Sequence, residues 1–235
     1  MAQDEQEKRC ENCIVRQFNN MRALNKEELK KVSDAKITKK IKKGEVIFEE
    51  GEKLNGIFCV RDGVSKISKL SSNGKDQIIK LVTKGEILGQ SSIISEETSK
   101  LRATAINNME VCFIPKQKIS APLQNNSKFT MEVLKTMVKD LNESNNSILR
   151  LSQKNVKQRI AQALLYLKKN YGEDENGFLN LNLSREDLAN VVGTAVETCI
   201  RNISVFKKEG YLKLEKKKIA IVDYRKLERY VEDFD

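Results

Sequence analysis

Histidine is absent from this 235-residue chain, and so is tryptophan. Without histidine there can be no His-based triad, no imidazole general base and no His-containing zinc site, so an enzymatic reading loses most of its usual equipment. Neither a Gly-x-x-x-x-Gly-Lys-[Ser/Thr] phosphate loop nor a Gly-x-Gly-x-x-Gly turn occurs, which excludes two common nucleotide cradles. No apolar run approaches the ~18 residues of a membrane span. The opening MAQDEQEKR lacks the apolar core of a secretory signal, and a cytoplasmic protein with no membrane partner is expected. Proline is limited to Pro115 and Pro122, and glycine is missing from Ile114 to Tyr171, so little past Pro122 would break a helix. The cysteines are few and odd in number: Cys10, Cys13, Cys59, Cys112 and Cys199. That count argues against a secreted disulfide framework and leaves them as thiols or ligands.

What is present sorts into two halves. The net charge is +10, which suits a nucleic-acid partner because Lys and Arg neutralise phosphates and release counterions. From Gln153 onward, however, basic residues exceed acidic ones by only three, so charge alone does not locate a DNA surface. Seven of the eleven glycines lie between Gly44 and Gly89 and separate short apolar runs such as Val46 to Phe48, Ile57 to Val60 and Gln77 to Val82. Many short strands and tight turns follow from that spacing, and Asn73-Gly74 suits a type I′ hairpin. The fold class expected is α+β. A Cys-x-x-Cys segment (1–27) precedes a jelly-roll-like β-roll (28–120), followed by a long dimerisation helix (121–152) and a winged helix-turn-helix (153–235).

Beyond Pro122 apolar residues recur at helical spacing. Met131, Val138, Asn145 and Ser152 can occupy the a positions of a heptad with Leu134, Leu141 and Ile148 at d. Such a seam serves a homodimer, and the polar Asn145 would favour a two-stranded pairing; packing of the same stripe on the chain's own β-roll is the alternative. A further helical stretch carries Ile160, Leu164, Leu165 and Leu167.

The segment from Leu183 to Val222 holds two short helical patterns separated at Gly193, each opening with a capping-box pattern: Ser184 with Asp187, and Thr194 with Glu197. Leu188, Val191 and Val192 are expected to face Val196, Ile200 and Ile203 across the bend. Two alternating runs, Tyr211 to Leu214 and Lys218 to Val222, form a wing. In such a unit the second helix enters the major groove, making Val196, Glu197, Ile200 and Arg201 the candidates for base contact. Arg can chelate guanine O6 and N7, and Glu can accept from cytosine N4. Glu197 can instead cap its helix or pair with Arg201 four residues on. Ser184, Arg185, Thr194, Lys207, Lys216, Lys217 and Lys218 are candidate phosphate contacts, although a lysine run on a wing is often simply solvated.

The recognition pattern Val196, Glu197, Thr198 and Arg201 resembles that of the Crp/Fnr family of bacterial regulators. The resemblance extends to LSQKNVKQRIAQALLYL (Leu151 to Leu167), KKGEVIFEEGE (Lys42 to Glu52) and KGEILGQ (Lys84 to Gln90), and so covers nearly the whole chain. It implies a sensor β-roll, a dimer helix and a winged helix reading near-palindromic double-stranded DNA, with RNA polymerase as downstream partner. The cyclic-nucleotide branch of that family holds its ligand with a Gly-Glu and an Arg-Ser pair. The matching positions here read Gly89-Gln90 and Ser99-Lys100. Lacking the ribose acceptor and the guanidinium fork, this effector pocket is not expected to take cyclic AMP in the usual manner.

The oxygen-sensing branch binds an iron–sulfur cluster through three N-terminal cysteines and one from the β-roll. Cys10, Cys13 and Cys112 match three of these, and the remaining position falls on Asn19. Asn19, an acidic neighbour such as Glu11 or another ligand would have to complete four ligands. A Cys-x-x-Cys pair also fits a redox dithiol or a partial zinc site, while Cys59 and Cys199 read as buried packing residues. Ile200 stands where the oxygen-sensing branch has serine; Glu197 and Arg201 are shared, implying a TGA-like half-site.

Overall fold

The computed structural model describes residues 9–71, 74 and 76–232. Of the Asn-Gly hairpin expectation, Asn73 lies outside the described residues. The chain divides into two compact units, Met1–Lys69 with Ile79–Glu143, and Leu70–Ile78 with Ser144–Asp235. No helix among the described residues is long and apolar enough to cross a membrane.

The first unit opens with three 3-10 turns, Cys10–Asn12, Ile14–Phe18 and Asn20–Ala23, and helix α1 (Lys26–Ala35). Asn25 and Glu28 form a reciprocal capping box at its start, which satisfies two otherwise orphaned amides. Then come the strands: β1 (Ile37–Ile41), β2 (Val46–Phe48), β3 (Gly56–Asp62), β4 (Val64–Leu70), β5 (Asp76–Thr83), β6 (Ile87–Leu88), β7 (Arg102–Ala105) and β8 (Met109–Pro115), with a short helix α2 (Gln90–Ser95) between β6 and β7. They make two four-stranded sheets, β1-β8-β3-β6 and β2-β7-β4-β5. Antiparallel pairing sets Val60 opposite Val111 and Ile57 opposite Ile114, and all four side chains are buried. The expected β-roll is therefore built from two sheets that share an apolar interior. Gly56 has no room for a side chain, since a Cβ there would sit 2.3 Å from the Ile114 carbonyl oxygen and 2.7 Å from the Phe113 ring. Glycine is what lets β3 begin flush against β8.

Past β8 run α3 (Gln117–Asn125) and the long helix α4 (Ser127–Gln153). Phe129 and Val133 bury one stripe of α4 in the first unit's core. The heptad residues Met131, Leu134, Val138, Leu141 and Ile148 are instead exposed, each by more than half. The stripe that packs at home is thus a different one from the heptad seam.

The second unit contains α5 (Val156–Tyr171), α6 (Arg185–Val192), α7 (Val196–Lys208), β9 (Leu212–Glu215), β10 (Lys218–Ile221) and α8 (Tyr224–Glu232). Neither glycine nor proline separates α4 from α5. The break is made by Asn155, whose side chain accepts from the Gln158 amide while Gln158 returns the bond to the Asn155 amide. Ile160, Ala161 and Leu164 of α5 meet a core that includes Leu188, Ala189, Cys199, Ile203, Phe206 and Leu227, every one essentially inaccessible. Phe206, Tyr211 and Tyr230 stack edge to face with centroids 5.4–6.0 Å apart, a geometry that adds to area burial. Helix α8, which supplies Tyr230, was not anticipated from the sequence. Its signal was present: Tyr224, Leu227, Tyr230 and Val231 recur at helical spacing.

Candidate functional site

The two short helices α6 and α7 meet at Gly193, whose φ of +70° places it in the left-handed region. A non-glycine residue there would be strained, so the turn is fixed by composition. Ser184 caps α6, accepting from the Asp187 amide at 2.9 Å. The matching expectation for α7 does not hold. That helix begins at Val196 with Ala195 in the cap position and no side-chain cap bond, so Thr194 and Glu197 form no capping box. One residue of extended backbone after Thr194 shifts the helix start and removes the three-residue spacing the motif needs.

Arg159 of α5 holds this turn in place. Its guanidinium donates to the carbonyls of Val192 (2.9 Å) and Gly193 (3.3 Å) at the end of α6, and of Lys154 (2.8 Å) and Leu151 (3.4 Å) at the end of α4. Helix C-termini leave carbonyls unsatisfied and carry partial negative charge. One cation therefore closes two helix ends, which sequence reasoning missed because the Val192 and Gly193 carbonyls lie more than thirty residues away along the chain.

Helix α7 presents two faces. Cys199, Asn202, Ile203 and Phe206 are buried, while Glu197, Ile200, Arg201, Ser204, Lys207 and Lys208 are exposed, and Val196 is half-buried. Ile200 was expected to face α6 across the bend; with 44% of its surface accessible it points outward, and Cys199 takes the inward place. A helix turns by about 100° per residue, so with Cys199 facing inward the next position swings to the outer face. Among the described residues Glu197 and Arg201 make no ion pair with each other or with any other group. A carboxylate and a guanidinium thus stand ready, one turn apart, beside an apolar Ile200. That set matches the hydrogen-bonding edges and methyl groups of a major groove.

Around this face the candidate phosphate contacts differ in readiness. Lys207 is exposed, as are Lys216 and Lys217 at the turn between β9 and β10. Lys218 is 2.8 Å from Asp174. Arg185 is half-buried, and one guanidinium nitrogen donates to the Lys217 carbonyl at 3.3 Å, tying α6 to the wing. Burial lowers the pKa of Arg185 from its ordinary value, with the Cys199 thiol opposing that shift. The Ser184 hydroxyl is engaged with Asp187, and Thr194 is half-buried in the turn.

In the first unit the effector-pocket residues do not assemble an anion site. Gly89 precedes α2 in the left-handed region. Gln90 is buried and accepts from the Asn20 amide at 3.0 Å. Ser99 is buried and donates to the Leu101 carbonyl, whereas Lys100 is exposed and pairs with Glu97 at 3.4 Å. With Lys100 turned to a neighbouring carboxylate, these four residues offer no cationic fork to the β-roll interior.

The cysteines do assemble. Cys10, Cys13, Cys59 and Cys112 line one pocket with Arg16, Lys36 and Arg61 and the apolar Met21, Leu29, Val32 and Ile114. The cleft holds about 390 Å³ of space counted out to open solvent. Cys59 on β3 lies directly across from Cys112 on β8, and Asn19 donates to the Cys59 sulfur at 3.5 Å and to the Gly85 carbonyl at 3.0 Å. Burial pushes the Cys59 thiol up to about 12, reinforced by the nearby Cys112, Cys13 and Cys10. Cys10 is raised in the same way, with Lys36 opposing. Glu11, an alternative ligand, is instead bound to Arg9 at 3.1 Å and does not line the pocket. Cys59 was read as a packing residue; it is buried, but among three other thiols. Among the described residues no three Cys, Asp or Glu side chains converge tightly enough for a single metal ion. A tetrahedral ion with metal–sulfur bonds of about 2.3 Å needs its sulfurs within roughly 4 Å of each other, so a zinc site is not what this arrangement fits. Four thiols spread round a cationic, partly apolar pocket fit the larger iron–sulfur group, whose clusters take four thiolates.

Residues 38–126 match the cyclic nucleotide-binding domain family, and residues 158–230 match the Crp-like helix-turn-helix domain family. Electron transport regulator A of Shewanella oneidensis is 30% identical over 209 residues, covering 87% of this chain and 82% of that protein. An anaerobic regulatory protein of Haemophilus influenzae is 29% identical over 219 residues, covering 91% and 84%. Among solved structures, a transcriptional regulator of the CRP/FNR family from Thermus thermophilus shares the fold with a TM-score of 0.72 at 23% identity, over 85% of this chain and 100% of that one. With a β-roll, a long helix and a winged helix in the same order, this chain belongs to the Crp/Fnr family of DNA-binding transcription regulators.

Proposed function

We propose that the chain acts in the cytoplasm as a homodimer that reads a near-palindromic site in double-stranded DNA and communicates with RNA polymerase. The observation that carries this reading is the outer face of α7, where Glu197, Ile200 and Arg201 are exposed and the two charged groups have no partner among the described residues. Arg201 chelates a guanine, Glu197 accepts from a cytosine amino group and Ile200 touches a thymine methyl, with Val196 packed alongside. Lys207, Lys216 and Lys217 hold phosphates, and Ser184, Arg185, Thr194 and Lys218 line the same approach with part of their capacity already engaged. The exposed heptad seam on α4 pairs two chains, spacing their recognition helices about 34 Å apart, one turn of duplex. The shared Glu197 and Arg201 call for a TGA-like core in each half-site.

Selection from random duplex DNA tests the proposal. Two inverted TGA-containing half-sites are the expected yield, and Arg201→Ala should flatten the preference at the guanine while leaving neighbouring positions readable. Recovery of unrelated or non-palindromic sequences would overturn the reading, as would tight cyclic AMP binding with no gel shift on any enriched pool.

A further inference from the structure

The first unit carries chemistry that DNA reading leaves unused. Four of the five thiols face one pocket, although they come from three remote places in the chain: the first 3-10 turns, β3 and β8. Sheet register makes the meeting of Cys59 and Cys112 obligatory, since they are paired residues on neighbouring antiparallel strands and such pairs hold their Cβ atoms about 5 Å apart on the same face. Cys10 is anchored over that pair by its backbone amide, which donates to the Ser33 hydroxyl of α1 at 3.0 Å. Cys13 follows in the next turn. The amide of Asn19 reaches the Cys59 sulfur, so the side chain at the position where a thiol was expected is in contact with the thiol that is present.

We propose that Cys59 is the fourth ligand of an iron–sulfur cluster bound by Cys10, Cys13 and Cys112. It takes the place that the N-terminal segment leaves to Asn19. Thiolate clusters are anionic, and the pocket answers that charge with Arg16, Lys36 and Arg61, of which Arg61 is shared with Glu110 at 2.7 Å. Met21, Leu29, Val32 and Ile114 form the apolar wall that limits water at such a site. Thr38 lies 3.9 Å from the Cys112 sulfur, and Asn19 beside Cys59; donors around ligand sulfurs tune cluster potential. Bound there, the group would give the β-roll a redox-labile element. With Cys59 on β3 and Cys112 on β8 both as ligands, the cluster would tie two neighbouring strands of one sheet together.

The test uses the full-length chain, purified without oxygen and supplied with ferrous iron and sulfide. Iron and acid-labile sulfide per chain, with the visible thiolate-to-iron absorption, are the readouts. Wild type and Cys199→Ala are expected to load equally, and Cys59→Ala to lose at least fivefold of the iron while the cluster-free variant melts as cluster-free wild type does. Because a packing defect could imitate the loss of a ligand, the double variant Cys59→Ala with Asn19→Cys returns a thiol beside the same spot; regained iron and colour mark Cys59 as a ligand. Full iron in Cys59→Ala overturns the assignment. So does a wild-type chain that stays colourless, or one isolated with a Cys59–Cys112 disulfide. A colourless chain that still shifts palindromic DNA would sink this inference and leave the proposed function standing.

Discussion

Single side chains carry the two sharpest consequences. Arg201 projects from α7 without an internal partner, so Arg201→Ala should leave thermal stability within about 0.5 kcal/mol of wild type. Its affinity for a specific site should fall by about 1–3 kcal/mol per half-site, measured by titration at fixed salt. Arg159 behaves oppositely. Removing a guanidinium that donates to four carbonyls at the ends of α4 and α6 strands helix-terminal acceptors. A charged hydrogen bond contributes about 1.5–3 kcal/mol, and the site is only partly buried, so Arg159→Met should cost about 2–4 kcal/mol in denaturant unfolding. DNA binding should weaken with it, although the residue lies outside the reading face. Lys80 supplies a pH test. Burial by itself would lower its pKa, but Glu86 at 2.9 Å and Asp140 at 2.8 Å outweigh that and raise it. A raised folded-state pKa means the stabilisation is complete below the unfolded value of about 10.4 and fades as pH rises through the higher folded one. The stability gap between wild type and Lys80→Met, about 1–2 kcal/mol after allowing for solvent screening, should hold constant from pH 7 to near 10 and narrow only beyond.

At the level of elements, α4 divides its surface between two duties. Phe129 and Val133 are buried within the first unit, while Val138, Leu141 and Ile148 lie open. Leu141→Glu should therefore leave the chain folded but reduce self-association in sedimentation and, through it, affinity for a two-half-site operator. A dimer that persists in this variant would place the pairing surface elsewhere. Helix α7 is partitioned in the same way, but only in part legibly: Ile203 and Phe206 mark the inner face, while the buried Asn202 and the exposed Ile200 run against the apolar pattern. Its starting residue was less legible: Thr194 and Glu197 have capping-box spacing, yet Ala195 is the cap. Local pattern identifies a helix more reliably than it fixes its first residue, since a cap competes with whatever geometry the preceding turn imposes.

For the molecule as a whole, charge is spread rather than concentrated. The net +10 is mostly carried before Gln153, so salt dependence of DNA binding should report a few placed lysines and not the overall charge. Lys207→Ala removes one phosphate contact from each half of the dimer and is expected to reduce the slope of log affinity against log salt by about 1.8, with base preference unchanged in the selected site. An unaltered slope would remove Lys207 from the phosphate contacts.

The sequence by itself determined the order of parts. Glycine spacing marked the strands, its absence marked the long helix, and the bend at Gly193 with apolar residues on both sides marked the paired helices, because each of these is written in one contiguous stretch of chain. It also excluded histidine chemistry outright. Only the tertiary structure decided that Ile200 faces out while Cys199 faces in, that Arg159 closes two helix ends, and that Cys59 joins Cys10, Cys13 and Cys112. Those facts rest on register between remote strands and on packing between remote helices. Strand register is a property of pairs, set by which faces are buried together, and no local window of residues contains both members.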